Sequence, residues 1–592
     1  MSLAAHVRTS VARALSTLAE RGVLGPAADV GGARFNVDRA KRPEHGDFAT
    51  NAPMVLTKQA GVPPREIAAA LVAALADDPV VRSAEIAGPG FVNLRVRPSA
   101  VHAELATILA SGAAVGRAAS GVGERVHLEF VSANPTGPIT VASARNAVLG
   151  DAVGRLLEAT GHRVTREYYL NDHGNQVRAF AASVRAAHDG LPPPEDGYKG
   201  AYVAEVARAL DASSPEVWRD DEALARAAVG AMVRGLPGST TLPGLRATLA
   251  RLGVVFDVWF SEESLHRWGH VEAALARLRA GGFLEEHDGA LWFVTKGESA
   301  VEDKDRVVRK STGAYTYFAS DIAYHTDKIE RGYDRLIAVL GADHHGYVAR
   351  IRNVLDALGL PSDRFEALLY QLVFVYQEGE LVKSSKRAGN VVTADELMGD
   401  IDQAAGRVGA GRDALRFFFL SRAASTNVDI DVELAKKKSL DNPVFYVQYG
   451  HARLCSILRK ADRIGLGDVP ATIPWDKLDH EDELRVAMRL AAYAEVVAEA
   501  AALREPHRVV FYVQELAREF QSYFTRLKAD PILPRDATRD DPTWRDRWDV
   551  DKTVARLAWV RAIRAVYGSA LALIGVDAPE RMDLPDSAGD EE

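Results

Sequence analysis

The sequence predicts an α/β protein of several domains, built around a Rossmann-like parallel sheet that carries an insertion. The first observation is a strand–helix–strand unit. VHLEFVS is a buried-strand pattern, residues 143–160 repeat apolar residues on one helical face, and HRVTREYYL is the next strand. The second observation is the return of strand patterns in ALWFV, RLIAVLG and LLYQLVFVY after a Pro-rich and helical interval. A parallel sheet interrupted by an insertion explains this order best.

The length of 592 residues exceeds what one hydrophobic core supports, so several domains are expected. Shifts in pattern divide the chain into a small α+β domain at 1–118, the parallel-sheet domain at 119–425 with its insertion at about 190–285, a helical bundle at 426–582 and an acidic tail at 583–592. The tail is predicted to be disordered because its charges repel and it has little apolar surface to bury.

Composition narrows the class of protein. Charged residues make up 26% of the chain, which is ordinary for a soluble globular protein. The single cysteine, Cys455, excludes an internal disulfide and a CxxC metal site and fits a reducing compartment. No uninterrupted apolar stretch is long enough to span a bilayer, so we expect a cytoplasmic protein without a membrane partner. The net charge of −9 does not exclude nucleic acid, because phosphates respond to the local field.

A candidate phosphate loop joins the first buried strand to its helix. The segment SANPTGPITVASAR, residues 132–145, presents backbone amides and the positive end of a helix dipole after a strand. An ordinary strand–helix turn has the same pattern, and the loop taken alone favours that simpler alternative.

A second candidate loop is cationic. In LVKSSKRAGNVVT, residues 381–393, Lys383 and Lys386 flank two serines after an apolar strand and hairpin. Such a loop would lie at the end of a sheet, where it can stabilise charge on a leaving polyphosphate. The alternative is a solvated surface loop.

The order of these two loops and the helical bundle resembles class I aminoacyl-tRNA synthetases, and in detail the arginyl-tRNA synthetase family. The resemblance runs nearly end to end, through EFVSANPTGP, GDAVGRLLEATGHRVTREYYLNDHGNQ, YFASDIAYH, LGADHHGY, KSSKRAGN, DALRFFFLSR, NPVFYVQYGHARLCSILRKA and APERM. It implies that ATP, with Mg²⁺, activates L-arginine to arginyl-adenylate, and that the arginyl group then passes to the 3′ end of tRNA(Arg). It also implies that activation requires bound tRNA, and no protein-bound metal is expected.

The resemblance assigns substrate contacts to particular residues. Arginine would be held by Glu129, Asn134, Tyr317 and Asp321, with Tyr317 and Asp321 on one face of a helix. ATP would contact Pro135, Gly137, Thr140, Ala142, Ser143, Asp343, His344, Lys383, Ser385 and Lys386. Of these, the residues expected to take part in catalysis are Thr140, Ser143, Lys383 and Lys386.

The resemblance also places tRNA contacts at both ends of the chain. Phe91 and Asn93 in the N-terminal domain would read the outer corner of the tRNA, by stacking and by an amide contact. In the bundle, Tyr446, Tyr449 and Arg453 would contact the anticodon region. The alternative for Phe91 is a place in the core of its domain.

One motif departs from the family pattern. In the family this loop ends in His-Val-Gly-His, whereas here it ends in Thr140-Val141-Ala142-Ser143. Thr140 and Ser143 replace the two histidines, and neither can carry a positive charge. Loss of one preorganised donor costs about 10²- to 10³-fold in rate if nothing compensates. The lysines of the second loop and His344 favour compensation, so we expect an active, monomeric arginine–tRNA ligase. The alternative is a noncatalytic paralogue that binds arginine or tRNA.

Overall fold

The structure is a computed structural model that describes residues 2–24, 30–40, 42–236, 239, 242–295, 304–382, 392–535 and 542–583. Its first part is an α+β unit, whose elements are α1 (Leu3–Glu20), β1 (Val37–Arg39), β2 (Phe48–Thr50), α2 (Ala52–Ala60), α3 (Pro64–Ala74), β3 (Val81–Ala87), β4 (Phe91–Val96) and α4 (Pro98–Ser111). The strands form one antiparallel sheet in the order β1-β2-β4-β3. Along β4, Val92 and Leu94 enter the core, so Phe91 and Asn93 lie on the opposite face.

The central part of the chain alternates strands and helices. Its strands are β5 (Arg125–Glu129), β6 (Arg163–Leu170), β7 (Val258–Ser261), β8 (Leu284–His287), β9 (Ala290–Phe293), β10 (Arg306–Arg309), β11 (Arg335–Gly341), β12 (Phe365–Tyr370), β13 (Val373–Gln377), β14 (Glu380–Leu381) and β15 (Val428–Asp431). Its helices are α5 (Val141–Ala159), α6 (Asn175–His188), α7 (Ala201–Ser213), α8 (Asp221–Arg234), α9 (Leu245–Arg251), α10 (Glu262–Arg267), α11 (His270–Ala280), α12 (Tyr317–Glu330), α13 (His345–Ala357), α14 (Ala394–Ala405), α15 (Ala410–Leu420) and α16 (Val432–Lys436).

The main sheet has the order β12-β11-β5-β6-β7, and every pair of neighbours is parallel. From β5 the chain adds strands first on one side and then on the other. The carboxyl ends of β5 and β11 therefore flank the point where the strand order reverses, which is where ligands bind in open α/β sheets. This confirms the predicted Rossmann-like sheet.

Two parts of the central region differ in detail from the sequence prediction. β7 falls inside the interval 190–285 that was predicted as an insertion, yet it pairs with β6 as an edge strand of the main sheet. β9 (ALWF) is not in the main sheet but in a small antiparallel sheet of order β10-β9-β8. A third small sheet, β14-β13-β15, leads into the cationic segment.

The last part of the chain is a helical bundle. Its helices are α17 (Pro443–Arg463), α18 (Glu481–Ala491), α19 (Tyr493–Leu503), α20 (His507–Arg526) and α21 (Val550–Ile574). By length and composition alone α21 passes as a membrane span, with a mean hydropathy of 1.4, which the sequence analysis did not anticipate. Trp559, Ile563 and Tyr567 of α21 are buried in the bundle, as expected of a core helix of a soluble protein.

A buried arginine joins the bundle to the sheet domain. Arg416 on α15 donates to Asp151 of α5 at 2.5 Å, and it also donates to the carbonyl oxygens of Leu252 at 2.9 Å and Ile574 at 2.8 Å. The Ile574 carbonyl lies at the end of α21, so the ion pair links the bundle's last helix to α5. Because a buried guanidinium needs its donors satisfied, this contact fixes the two domains together.

Candidate active site

The crevice at the reversal point is lined by the turn that follows β5. Val131 and Ser132 have positive φ angles of 67° and 41°, a conformation that is strained for a β-branched residue. Asn146 of α5 accepts from the Val131 amide at 2.7 Å and donates to the Val339 carbonyl of β11 at 3.0 Å. The turn is thereby held open between β5 and β11.

Two tyrosines shape the loop that follows this turn. Tyr168 donates to the carbonyl oxygen of Ala133 at 2.7 Å, and Tyr202 donates to that of Thr136 at 2.8 Å. Pro135 and Gly137 are buried beneath them. A β-carbon at Gly137 would approach the Tyr202 hydroxyl to 3.3 Å, so glycine keeps this part of the loop open.

Thr140 and Ser143 form the N-terminal cap of α5. Thr140 Oγ1 accepts from the Ser143 amide at 3.2 Å and donates to Ser143 Oγ at the same distance. Both side chains are half-buried and Ala142 is exposed. The residues that stand where the family has histidines are therefore a standard helix cap, and their hydroxyl groups lie at the positive end of the helix dipole.

The first turn of α5 also holds one end of the cationic segment. The Val141 amide donates to the Val392 carbonyl at 3.4 Å, the Ala394 amide donates to the Ile139 carbonyl at 2.9 Å, and Thr140 bridges Thr393. Lys383, Ser385 and Lys386 lie outside the described residues.

A buried acidic pocket lies beside the end of β5. Asp321 of α12 is hydrogen-bonded by the hydroxyl group of Tyr347, and burial raises the pKa of Asp321 to about 7, with the charge of Glu129 acting in the same direction. Glu129 is paired with Lys328, whose Nζ lies 2.6 Å from Glu129 Oε2. Glu129 Oε1 accepts from Ser132 at 3.0 Å.

A further carboxyl group in this pocket was missed by the sequence analysis. Glu262 opens α10, is 2% exposed, and one of its oxygens has no hydrogen-bond partner among the described residues. Burial raises the pKa of Glu262 to about 7, and Asp321 and Asp172 act in the same direction. Asp321 and Glu262 together suit a bound cation, because a positive charge would favour the ionised form of both. The only sequence signal was an acid directly after a strand of the sheet.

The other residues predicted to bind the substrate arginine lie around this pocket and differ in exposure. Tyr317, at the start of α12, is 57% exposed and its hydroxyl oxygen lies 3.6 Å from where a β-carbon of Gly174 would be. Asn134 donates to Gln176 Oε1 at 2.5 Å. Two further residues were also missed. Tyr347, which contacts Asp321, comes from α13, and Lys328, which contacts Glu129, lies two helical turns beyond Asp321 on α12.

Asp343 and His344 follow β11 at the same edge of the sheet. Both side chains are exposed, and His344 Nε2 lies 3.8 Å from Asp343 Oδ2. The crevice therefore has exposed polar groups on its β11 side and a helix cap on its β5 side.

Of the predicted tRNA contacts, Phe91 is exposed, whereas Asn93, Tyr446, Tyr449 and Arg453 are half-buried. Phe91 is 40% exposed on its sheet, so it is not a core residue of the N-terminal domain. On α17, the Arg453 guanidinium lies 5.3 Å from the ring centre of Tyr449 and 4.7 Å from that of Phe524. Tyr446, two turns earlier than Arg453 on the same helix, is half-buried and packs against the core.

The fold and the crevice define a class I aminoacyl-tRNA synthetase. Three family models match the chain: "Arginyl tRNA synthetase N terminal domain" at 5–96, "tRNA synthetases class I (R), catalytic domain" at 104–192 and 245–411, and "DALR anticodon binding domain" at 447–582. An arginine–tRNA ligase of Heliobacterium modesticaldum is 40% identical over 558 residues, which are 93% of this chain and 94% of that protein. The chain belongs to the arginyl-tRNA synthetase family.

Solved structures agree with this fold. The arginyl-tRNA synthetase of Thermus thermophilus has a TM-score of 0.70 at 23% identity, covering 98% of this chain and 99% of that one. The arginyl-tRNA synthetase of Plasmodium falciparum has the same TM-score and coverage at 12% identity. The protein is an ATP-dependent enzyme, an arginine–tRNA ligase, and this is better supported than the alternative of a noncatalytic paralogue.

Proposed function

We propose that this arginine–tRNA ligase carries out both steps of its reaction in the crevice between β5 and β11. Residues 119–425 form the catalytic domain, residues 1–118 bind the outer corner of tRNA(Arg), residues 426–582 bind the anticodon region, and 583–592 are a tail outside the fold. ATP enters as its Mg²⁺ complex. The protein works as a monomer in the cytoplasm without a membrane partner.

The acidic pocket receives the guanidinium group of arginine. Asp321 and Glu262 supply two carboxylates, and Tyr347 orients Asp321. A guanidinium group has five donors in a rigid planar fork and stays protonated, so it ionises both carboxyl groups as it binds. The observation that supports this assignment most is that Glu262 is 2% exposed and close enough to Asp321 for their charges to interact, with one carboxylate oxygen that has no hydrogen-bond partner among the described residues.

The other residues assigned to the substrate arginine contact its α-amino end and its side chain. Asn134 and Glu129 lie on the β5 side of the pocket and hold the α-amino end, with Glu129 kept in place by Lys328 and Ser132. Tyr317 is exposed at the start of α12 and covers the arginine side chain from the solvent side. The carboxylate of arginine then points towards the first turn of α5.

ATP lies with its phosphates at the start of α5. Thr140 and Ser143 donate hydroxyl hydrogen bonds, Pro135 and Gly137 shape the loop, and exposed Ala142 leaves room for the adenine. Asp343 and His344 contact the ribose or adenine from the β11 side. An arginine carboxylate oxygen attacks the α-phosphorus, the bond to the β-phosphate oxygen breaks, and Lys383, Ser385 and Lys386 stabilise the departing pyrophosphate.

The tRNA is read at both ends of the chain. Phe91 stacks on a base of the outer corner while Asn93 bonds its edge. Tyr449 and Arg453 present a half-buried ring and cation to the anticodon region, with Tyr446 packed against the core beside them. The 2′- or 3′-hydroxyl group of the terminal adenosine then takes the arginyl group from the adenylate, and AMP leaves.

Aminoacylation by purified protein tests this assignment. With tRNA(Arg), arginine and ATP the protein should form arginyl-tRNA, and Glu262→Gln and Asp321→Asn should each raise the KM for arginine by at least about tenfold, as expected for loss of a charge-assisted bond. Glu263→Gln is the matched control, because it removes the same charge from the next position of α10. If the protein binds arginine and tRNA but forms no arginyl-tRNA, the catalytic assignment is wrong. If the KM for arginine is unchanged in both Glu262→Gln and Asp321→Asn, the assignment of this pocket to the guanidinium group is wrong.

A further inference from the structure

Arg145 is a buried arginine that the proposed chemistry does not use. It lies in the second turn of α5, two residues after Ser143, and is 1% exposed. Among the described residues no carboxylate pairs with it. A buried charge is costly unless its donors are satisfied, so what this guanidinium contacts must account for its presence.

Its partners are five main-chain carbonyl groups. Nη1 donates to Gln371 at 2.5 Å and Leu372 at 3.0 Å. Nη2 donates to Thr426 at 2.7 Å, with longer contacts of 3.3 and 3.4 Å to Ala423 and Ala424. Burial lowers the pKa of Arg145 to about 10, which still leaves the group protonated at neutral pH. The cation is thus solvated by peptide dipoles of two separate segments.

These two segments are the entries to the small third sheet. Gln371 and Leu372 lie between β12 and β13, and residues 423–426 lie between α15 and β15. The segments also bond each other, since the Gln371 amide donates to Ala424 at 2.9 Å and the Val428 amide to Leu372 at 3.0 Å. β13 then pairs with β15 on one side and β14 on the other.

The same turns of α5 that carry Arg145 carry the Thr140–Ser143 cap. Val392 and Thr393 are bonded to Val141 and Thr140, while β13 and β15 are anchored through Arg145. One short stretch of α5 therefore carries the cap that receives the phosphates in our proposed function and also holds the segments that lead into β13 and β15.

We propose that Arg145 is a positioning residue for the ATP-dependent step, which fixes the β13–β15 sheet against the phosphate-binding start of α5. The inference rests on the proposed ATP site at Thr140 and Ser143. It follows from the number and direction of the contacts: five carbonyl groups on two segments need a planar fork of donors, which arginine has and lysine lacks.

The decisive substitution is therefore Arg145→Lys, which keeps the charge and removes the fork. The readout is tRNA-dependent ATP–pyrophosphate exchange, with KM measured separately for ATP and for arginine. We expect the KM for ATP to rise at least about fivefold and kcat to fall by about 10- to 100-fold, the range that small misplacements of reacting groups produce. The KM for arginine should change by less than about twofold, because the two carboxylates assigned to the guanidinium group, Asp321 and Glu262, belong to α12 and α10.

A matched control is available in the bundle. Arg556 is also 1% exposed, and it pairs with Glu483 and Asp530 far from the crevice. Arg556→Lys should lower the midpoint of thermal unfolding as Arg145→Lys does, but should leave both KM values and kcat per folded enzyme unchanged. Hydrogen exchange supplies a second readout: the amides of Gln371 and Val428 should exchange faster in Arg145→Lys and not in Arg556→Lys.

The outcomes separate this inference from the proposed ATP site. If Arg145→Lys is less stable but keeps its KM for ATP, while Thr140→Ala raises that KM, Arg145 is only structural and the inference is wrong. If neither substitution changes the KM for ATP, the ATP-site assignment fails as well. A rise in the KM for arginine as large as that for ATP would also overturn the positioning role.

Discussion

Lys328 Nζ lies 2.6 Å from Glu129 Oε2 in the floor of the acidic pocket. Lys328 is 1% exposed and lies 3.8 Å from the ring centre of Tyr324. The pocket that we assign to a cationic substrate thus already contains one cation. Its charge partly offsets that of Glu129 and lowers the pKa of nearby Asp321, so it keeps Asp321 closer to the ionised form that a guanidinium requires.

Replacing this lysine should damage both stability and the pH profile. Lys328→Met leaves Glu129 buried without its partner, which costs about 3–5 kcal/mol of unfolding free energy. It also removes the charge that lowers the pKa of Asp321, so the KM for arginine should rise at pH 7 and recover at higher pH. Denaturant unfolding and arginine kinetics at several pH values measure the two effects. Lys328→Arg keeps the charge and should keep the profile. A Lys328→Met profile identical to that of the unchanged protein would disprove the electrostatic role.

Arginine binding should weaken as the pH falls through neutrality. The pKa of Asp321 and that of Glu262 are both about 7, mainly through burial. Below this pH both carboxyl groups are protonated, and a bound guanidinium must displace those protons. Between pH 7.5 and 6 the KM for arginine should therefore rise by up to about tenfold per group and pH unit. Titration calorimetry in buffers of different ionisation enthalpy should detect the released protons, and proton-free binding at pH 6.5 would contradict the assignment.

The same two groups should make the ligand-free protein less stable as the pH rises. The folded-state pKa of each is raised above the ordinary carboxyl value, so the folded protein holds protons that the unfolded chain has lost. Their contribution to stability is present below about pH 4 and is lost as the pH rises to about 7. Glu262→Gln should therefore flatten the pH dependence of the unfolding free energy in this window, whereas Glu263→Gln should not. Saturating arginine should have a larger stabilising effect at pH 8 than at pH 6.

Local pattern predicted much of this fold. The helical face shared by Tyr317 and Asp321 followed from their spacing, and α12 begins at Tyr317. In the bundle, the chain turns at Ala492 between α18 and α19, and no glycine or proline there marks the turn. Helical periodicity alone does not reveal such a turn.

The parts of the site that the sequence did not predict are those made by long-range packing. Glu262 and Tyr347 reach Asp321 from other elements, and nothing in their own segments indicates which carboxylate they approach. Val131 has a positive φ, and its amide donates to Asn146 of α5, fifteen residues further along the chain. The departure from the family at Thr140 and Ser143 was visible in the sequence, but its consequence, a capped helix start, required the structure.

The cap at the start of α5 should be detectable as stability. Thr140→Ala removes the acceptor of the Ser143 amide and should cost about 1 kcal/mol of unfolding free energy, while Thr140→Ser keeps the oxygen and should cost much less. Thr140→His and Ser143→His restore the family's imidazoles, and we expect them to raise the rate of activation only where the lost cap does not reduce the folded fraction. Activity should be normalised to folded protein by circular dichroism. If Thr140→Ala and Thr140→Ser were equally stable, the cap would not matter.

Phe91 offers a clean test of tRNA recognition, because its exposure separates binding from folding. Phe91→Ala should change the unfolding free energy by less than about 0.5 kcal/mol, since the side chain is 40% exposed on β4. It should raise the KM for tRNA by about 5- to 100-fold, the range expected for loss of one base–aromatic stack. Phe91→Leu keeps an apolar side chain of similar size without the ring face and should show most of this rise in the KM for tRNA. Asn93→Ala should raise the KM for tRNA by a smaller factor. The KM for arginine should stay unchanged in all three variants. A variant that unfolds more easily but binds tRNA normally would instead assign Phe91 to the packing of its own domain.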